Sequence, residues 1–225
     1  MIPKLIHQMW IGDKPLPSIW EDRPESWKEK NPNYNYVLWD NDSIKKIDDE
    51  NFLDIKVNPT HLSDYFRYKI LKLHGGYYVD VDFKCLVPID EWHEGTELNS
   101  DYVNFFGVCY GDMIQSGLIG STKNHIIMRN ILKELTKSRL AAGEVFGPYT
   151  IAKHAMEYIS EQDICPFYHK LGTTTIINRD VWRFFPTWCG LSGEATEHNN
   201  QKIYTQDDDG YSCWYPGKKR PYDDD

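Results

Sequence analysis

The sequence predicts an α/β fold with a central sheet that is at least partly parallel. Three observations carry that expectation. Strand-like apolar runs alternate with helical segments through the first half of the chain. Residues 59–74 place Leu62, Phe66, Ile70 and Leu73 at intervals of 4, 4 and 3, the apolar stripe of a core-facing helix. The 225 residues show no internal repeat and no Pro/Ser/Gly-rich linker, so one domain with its own core is expected over 1–225.

Taken in order, "KLIHQMWIG" reads as a buried strand closed by Gly12, and "PSIWEDRPESWKEKNP" holds a helical segment ending before Pro32. "NYNYVLWD" alternates as a second strand, and "NDSIKKIDDEN" gives a short helix. The helix over 59–74 has Asn58 as its cap, Pro59 in its first turn and Gly75-Gly76 at its end. On its wheel Tyr65, Lys69 and Lys72 mark the solvent side, while Asp64 and Arg67 share a third flank. Strands follow at "GYYVDVDF", "YVNFFGVCY" and "MIQSGLIGS", then helices at "NHIIMRNILKELTKSRL" and "PYTIAKHAMEYISEQ". Beyond residue 165 the chain is irregular and rich in aromatics, with strands expected at "TTIIN" and "VWRFF".

A net charge of -9 argues against nucleic acid or an anionic membrane as partner. Aromatic residues make up 14%, including 8 Trp and 15 Tyr, enough to form platforms for flat or sugar ligands or to add to the core. The 5 cysteines are dispersed and contain no CxxC pair, which fits a reducing compartment and neither a disulfide framework nor a zinc site. No apolar run is long enough to span a bilayer, and "MIPKLIHQMWIGDK" is too polar for a signal peptide, so a soluble cytoplasmic chain is expected.

Asp80 and Asp82 end the "GYYVDVDF" run. On a strand, a spacing of two puts both on one face at its C-terminal end, where open α/β sheets bind ligands. Two carboxylates so close repel unless a cation joins them, and an all-oxygen set suits Mg²⁺ or Mn²⁺. A D-x-D is also simply a pair of surface carboxylates at a strand end. Asp64 and Arg67 read either as an exposed i,i+3 ion pair or as a carboxylate held by arginine at the lip of the same site.

"SDYFRYKILKLHGGYYVDVDF" resembles the sugar-binding block of the DXD-containing glycosyltransferases of family 32, which include Golgi α-mannosyl- and α-galactosyltransferases and capsular polysaccharide enzymes. It is similar also to the block of the large glucosylating toxins. The shared pattern is S/A-D, two residues, R-Y, I/L-L, an aromatic or His, G-G, an aromatic, D-x-D. "IPKLIHQMWIG", "NPNYNYVLWD", "SGLIGSTKNHII" and "FGPYTI" extend the resemblance over residues 2–155.

The resemblance implies a GT-A-type nucleotide-sugar transferase fold, with a mixed, mostly parallel central sheet flanked by helices. Residues 1–110 would form mainly the nucleotide-sugar and metal side, and 111–225 mainly the acceptor side and a C-terminal lid. It implies a metal-dependent glycosyltransferase using Mn²⁺ (or Mg²⁺), moving a sugar from a UDP- or GDP-sugar to a glycan or other hydroxyl acceptor with retention. Asp82 would bind the metal directly, with Asp80 towards the ribose and metal. Asp64 and Arg67 would hold the sugar's hydroxyls, and Gly75 and Gly76 would admit the donor closely. Trp10 would touch the base, or serve as a core aromatic. Ser212 and Trp214, in "YTQDDDGYSCWYPG", would close over the diphosphate; Gln206, Asp207 or Asp208 stands where the family has a His, and Asp207 or Asp208 would supply a third metal contact. On the sugar and acceptor side, the candidates are Asp112, Gln115, Gly147 and Pro148. A non-catalytic carbohydrate-binding protein is the alternative, and a Mg²⁺-dependent phosphotransferase is disfavoured by Lys84 two residues after Asp82.

Overall fold

The computed structural model describes residues 2–93, 104–109, 113–144, 146–147, 150–151 and 153–154, and beyond these the strand residues 169–171, 174–177, 184–185, 197–198, 201–202 and 205–206. Strand β1 (Leu5–Met9), helix α1 (Asp22–Lys30), strand β2 (Asn35–Trp39), the short α2 (Asn41–Lys45), helix α3 (Pro59–His74) and strand β3 (Gly76–Val79) open the chain. β4 (Lys84–Cys85), β5 (Asn104–Cys109), β6 (Met113–Ser121), α4 (Ile126–Glu134) and α5 (Lys137–Ala141) follow. The remaining described strands are β7 (His169–Leu171), β8 (Thr174–Ile177), β9 (Phe184–Phe185), β10 (Glu197–His198), β11 (Gln201–Lys202) and β12 (Thr205–Gln206).

Seven strands form one mixed sheet in the order β2-β1-β3-β6-β5-β8-β7. β1 runs parallel to β2 and β3, with the crossovers that parallel pairing requires supplied through α1 and α3. β6 is antiparallel to both β3 and β5, whereas β5 and β8 are parallel. Successive β3 side chains enter opposite cores, as the two-residue period demands. Tyr78 packs with α3 and α4 residues such as Phe66, Ile70 and Ile131. Tyr77 and Val79 join Ile6 and the α1 residue Trp27 on the other face.

α3 starts and stops where its sequence says. The Asn58 side chain accepts from the Thr60 amide at 3.0 Å, Pro59 opens the first turn, and Gly75 ends the helix at φ 66°. Its solvent side is not where the wheel puts it. Tyr65 is buried and stacks on Phe52 with ring centroids 3.7 Å apart. Lys69 is buried beneath the 48–50 loop, paired with Asp49 and, at 3.6 Å, with Glu50. A loop distant in sequence thus covers a face that periodicity assigns to water.

The long helix expected over 124–140 is two. Thr136 breaks it by capping α5, its hydroxyl accepting from the Arg139 amide at 3.4 Å. The strand expected over 76–83 stops at Val79, and Asp80, Val81 and Asp82 turn the chain away.

Candidate active site

The C-terminal end of β3 is where the chemistry gathers. The Asp80 amide donates to the Gly117 carbonyl at 2.8 Å, a backbone bond from just past β3 to β6. The Asp80 carbonyl then accepts from the Phe83 amide at 3.1 Å, closing a tight turn over 80–83. The two carboxylates therefore belong to a turn at the strand end, and the period-two placement on one strand face is corrected.

Arg67 is the hub. Its guanidinium reaches Asp64 Oδ1 at 3.0 Å and Asp80 Oδ1 at 3.4 Å through Nη2, and donates from Nη1 to the Ser116 carbonyl at 2.7 Å. It also donates to the Ser63 carbonyl and hydroxyl at 3.4 and 3.3 Å, and stands 5.1 Å from the Tyr78 ring centroid. The Tyr78 hydroxyl donates to Asp80 Oδ1 at 3.0 Å. The helical i,i+3 spacing brings Asp64 and Arg67 together, but both side chains are 5% exposed, so the surface-pair reading fails. The Asp80 side chain, at 32%, opens to the surface.

Burial raises the Asp64 carboxyl above its ordinary value; Arg67 opposes this and Asp80 adds to it. Against burial, which disfavours its charge, Arg67 is held above its usual range by Asp80, Tyr78 and Asp64. Burial, then Asp80, raises Tyr78 and keeps its proton available for donation. One cation faces two carboxylates here, with Asp82 two residues on, so ionised Asp64 and Asp80 leave a net negative charge.

Several supports carried no sequence signal of their own. Buried Gln8, at the end of β1, donates to the Asp80 carbonyl at 3.1 Å and accepts from the Tyr36 hydroxyl at 2.7 Å. α1 holds the chain just past the turn. The Trp27 indole donates to the Phe83 carbonyl at 2.8 Å, the Ser26 hydroxyl accepts from the Cys85 amide at 3.0 Å, and Asp22 pairs with Lys84 at 2.8 Å.

The other candidates divide. Trp10 follows β1, packs edge-on against Trp20 at 5.8 Å, and donates to the Lys14 carbonyl at 2.8 Å. Gly75 and Gly76 do not join the cluster. They lie at the opposite end of β3, where a Cβ on Gly76 would come 2.4 Å from the Leu5 carbonyl oxygen and one on Gly75 would come 2.7 Å from the Lys123 amide. Their backbone freedom serves the helix-to-strand turn. Gly147 is buried one residue beyond Phe146, whose amide favours the charged form of Asp64. Asp112, Pro148, Asp207, Asp208, Ser212 and Trp214 lie outside the described residues, as does the side chain of Gln115 in β6. Gln206 pairs with Lys84, so β12 brings the chain alongside the segment that follows Asp82.

Oxygen donors at a turn suit Mg²⁺ or Mn²⁺, which take one or two carboxylates and complete their shell with water and phosphate. Among the described residues there is no group of three or more His, Cys, Asp or Glu that could hold a metal. Asp80 and Asp82 fit the smaller donor set such an ion needs.

Residues 17–99 match the family described as the glycosyltransferase sugar-binding region containing a DXD motif, a span that includes Asp64, Arg67, Asp80 and Asp82. This segment is similar to the DXD-type sugar-binding region of glycosyltransferases. A glycosyltransferase of Acanthamoeba polyphaga mimivirus is 30% identical over 154 residues, covering 60% of this chain and 56% of that protein. The initiation-specific alpha-1,6-mannosyltransferase of Candida albicans is 28% identical over 121 residues, 48% of this chain and 31% of its own length. Inositol phosphoceramide mannosyltransferase 3 of Schizosaccharomyces pombe is 35% identical over 95 residues, 40% of this chain and 26% of its own. The chain thus spans about half the length of the first of these relatives and a third or less of the others.

Around the sugar-binding region, the fold is that of the GT-A glycosyltransferases. The PaToxG glycosyltransferase superposes with a TM-score of 0.52 at 22% identity, covering 72% of each chain. The galactosyltransferase LgtC, solved with donor and acceptor sugar analogues, superposes with a TM-score of 0.50 at 11% identity over 92% of this chain and 87% of its own. Among the described residues no helix is long and apolar enough to cross a membrane.

Proposed function

We propose that the chain is a metal-dependent glycosyltransferase that moves a sugar from a nucleotide-diphosphate sugar to a hydroxyl acceptor with retention, through a single catalytic domain. The observation that carries this reading is the buried Asp64–Arg67–Asp80 network behind the 80–83 turn. A buried carboxylate held by arginine offers fixed acceptors and donors for sugar hydroxyls, and the neighbouring turn offers oxygens for a cation.

In this reading Asp82, with Asp80 beside it, holds Mn²⁺ or Mg²⁺. When bound, the ion supplies Lewis-acid stabilisation of the leaving nucleoside diphosphate. The chain's own part is positional. Asp64 accepts from donor-sugar hydroxyls while Arg67 opposes the upward pull of burial on its carboxyl. Tyr78 and Arg67 fix the Asp80 carboxylate through Oδ1, and Gln8 pins its carbonyl. Asp207 or Asp208 adds a ligand beyond β12, and Ser212 and Trp214 close over the diphosphate. Asp112, Gln115, Gly147 and Pro148 face the acceptor side. The mannosyltransferase relatives make mannose the first sugar to test, and GDP and UDP the nucleotides.

Asp82→Asn is expected to abolish Mn²⁺-dependent binding of GDP or UDP while leaving the melting temperature within a few degrees of the parent. Calorimetric titration with and without Mn²⁺ reads it. A variant that binds nucleotide like the parent removes the metal clamp. A parent that binds free oligosaccharide, yet no nucleotide, is a carbohydrate-binding protein instead.

A further inference from the structure

The 80–83 turn rests on a strand position with no side chain. Gly117, in the middle of β6, faces the Asp80 carboxylate. A Cβ built there would come 2.6 Å from Asp80 Oδ2, 3.3 Å from its Cγ and 3.2 Å from Phe83 Cε2. The conformation of Gly117 does not demand glycine, since its φ is not among the positive ones. Space alone requires it. Gly117 and its neighbour Ser116 also hold the site by backbone: the Ser116 carbonyl accepts from Arg67 and the Gly117 carbonyl from the Asp80 amide.

We propose that Gly117 is a positioning residue: the vacancy above its Cα sets the orientation of the Asp80 carboxylate, and so the geometry with which the turn meets its ligand. Asp80 Oδ1 is tied to Tyr78 and Arg67, so with Oδ2 lodged over Gly117 one rotamer satisfies all three neighbours. A methyl group at 117 pushes Oδ2 outward and takes Oδ1 off Arg67 and Tyr78. The consequence for nucleotide binding rests on the transferase reading above; the steric relation between the two residues does not.

The test is a cycle of four proteins: the parent, Gly117→Ala, Asp80→Ala and the double variant, with Asp80→Ser replacing Asp80→Ala if the latter does not fold. Thermal denaturation without ligand reads the contact. Gly117→Ala is expected to fold, and its loss in melting temperature is expected to be at least halved when the Asp80 carboxylate is absent. An equal loss in both backgrounds assigns the glycine to Phe83 packing and overturns the proposal. Titration with GDP or UDP and Mn²⁺ reads the consequence: affinity falls roughly 10- to 100-fold in folded Gly117→Ala, as when the supports of a ligand are disturbed. Affinity equal to the parent's overturns the proposal. A parent that binds neither nucleotide removes the transferase reading, and the melting cycle still decides whether Gly117 positions Asp80.

Discussion

Arg67 is the residue whose loss reaches furthest. Among the described residues it is the cation shared by buried Asp64 and part-buried Asp80, so Arg67→Ala takes the partner from both. Breaking a buried pair from one side costs about 3–5 kcal/mol. Arg67→Ala is therefore expected to lower stability as well as donor binding. Asp64→Asn in the same chain should recover a good part of the stability and none of the binding, which urea titration and a nucleotide assay read separately. The pairing of Asp64 with Arg67 was legible from the helical spacing, whereas the placement of Asp80 and Asp82 on one strand face fails because the chain turns after Val79. Burial was not legible, because Ser116, Gly117 and Phe146 close the pocket from more than thirty residues downstream of Asp80. A glycine inside a strand pattern was the one available hint, since such a residue marks a close approach.

Among the elements, α3 was the most readable because its cap, first-turn proline and terminal glycine all act within a few residues. β3 was misjudged in length, since the turn after Val79 is held by Gln8 from β1 and Gly117 from β6. The glycines at its start make a sharp prediction. A Cβ at Gly76 meets backbone oxygen at 2.4 Å with φ at 96°, so Gly76→Ala is expected to cost roughly 2–3 kcal/mol or more. Chemical denaturation should show this as a lower midpoint. α1 offers a second measurement. Ser26→Ala leaves the Cys85 amide without its acceptor in a buried setting, for an expected loss of about 1–3 kcal/mol. Amide exchange at Cys85 should quicken with it.

At the scale of the whole molecule, two buried histidines link stability to acid pH. The His7 ring is satisfied as a neutral group, Nε2 donating to the Gly75 carbonyl at 2.8 Å and Nδ1 accepting from the Trp39 indole at 3.1 Å. Burial pushes His7 down to about 4 and His125 likewise to about 4. Between about pH 6.5 and 4 the unfolded chain binds protons there that the folded chain does not, so the contribution of these two groups to stability falls as pH falls through that window. The slope is roughly 1 kcal/mol per pH unit for each group. His125→Asn keeps an acceptor for the Ile127 amide and should flatten that slope, measured as melting temperature against pH. The parallel opening of the sheet could be read from sequence, whereas the pairing of β12 with β4 could not, because Thr205 meets Cys85 from 120 positions away. That distance is also a delay. With synthesis at about 5–20 residues per second, β4 leaves the ribosome roughly 6–24 s before its strand partner β12. For that interval β4, the segment that follows the 80–83 turn, has one edge without its partner strand.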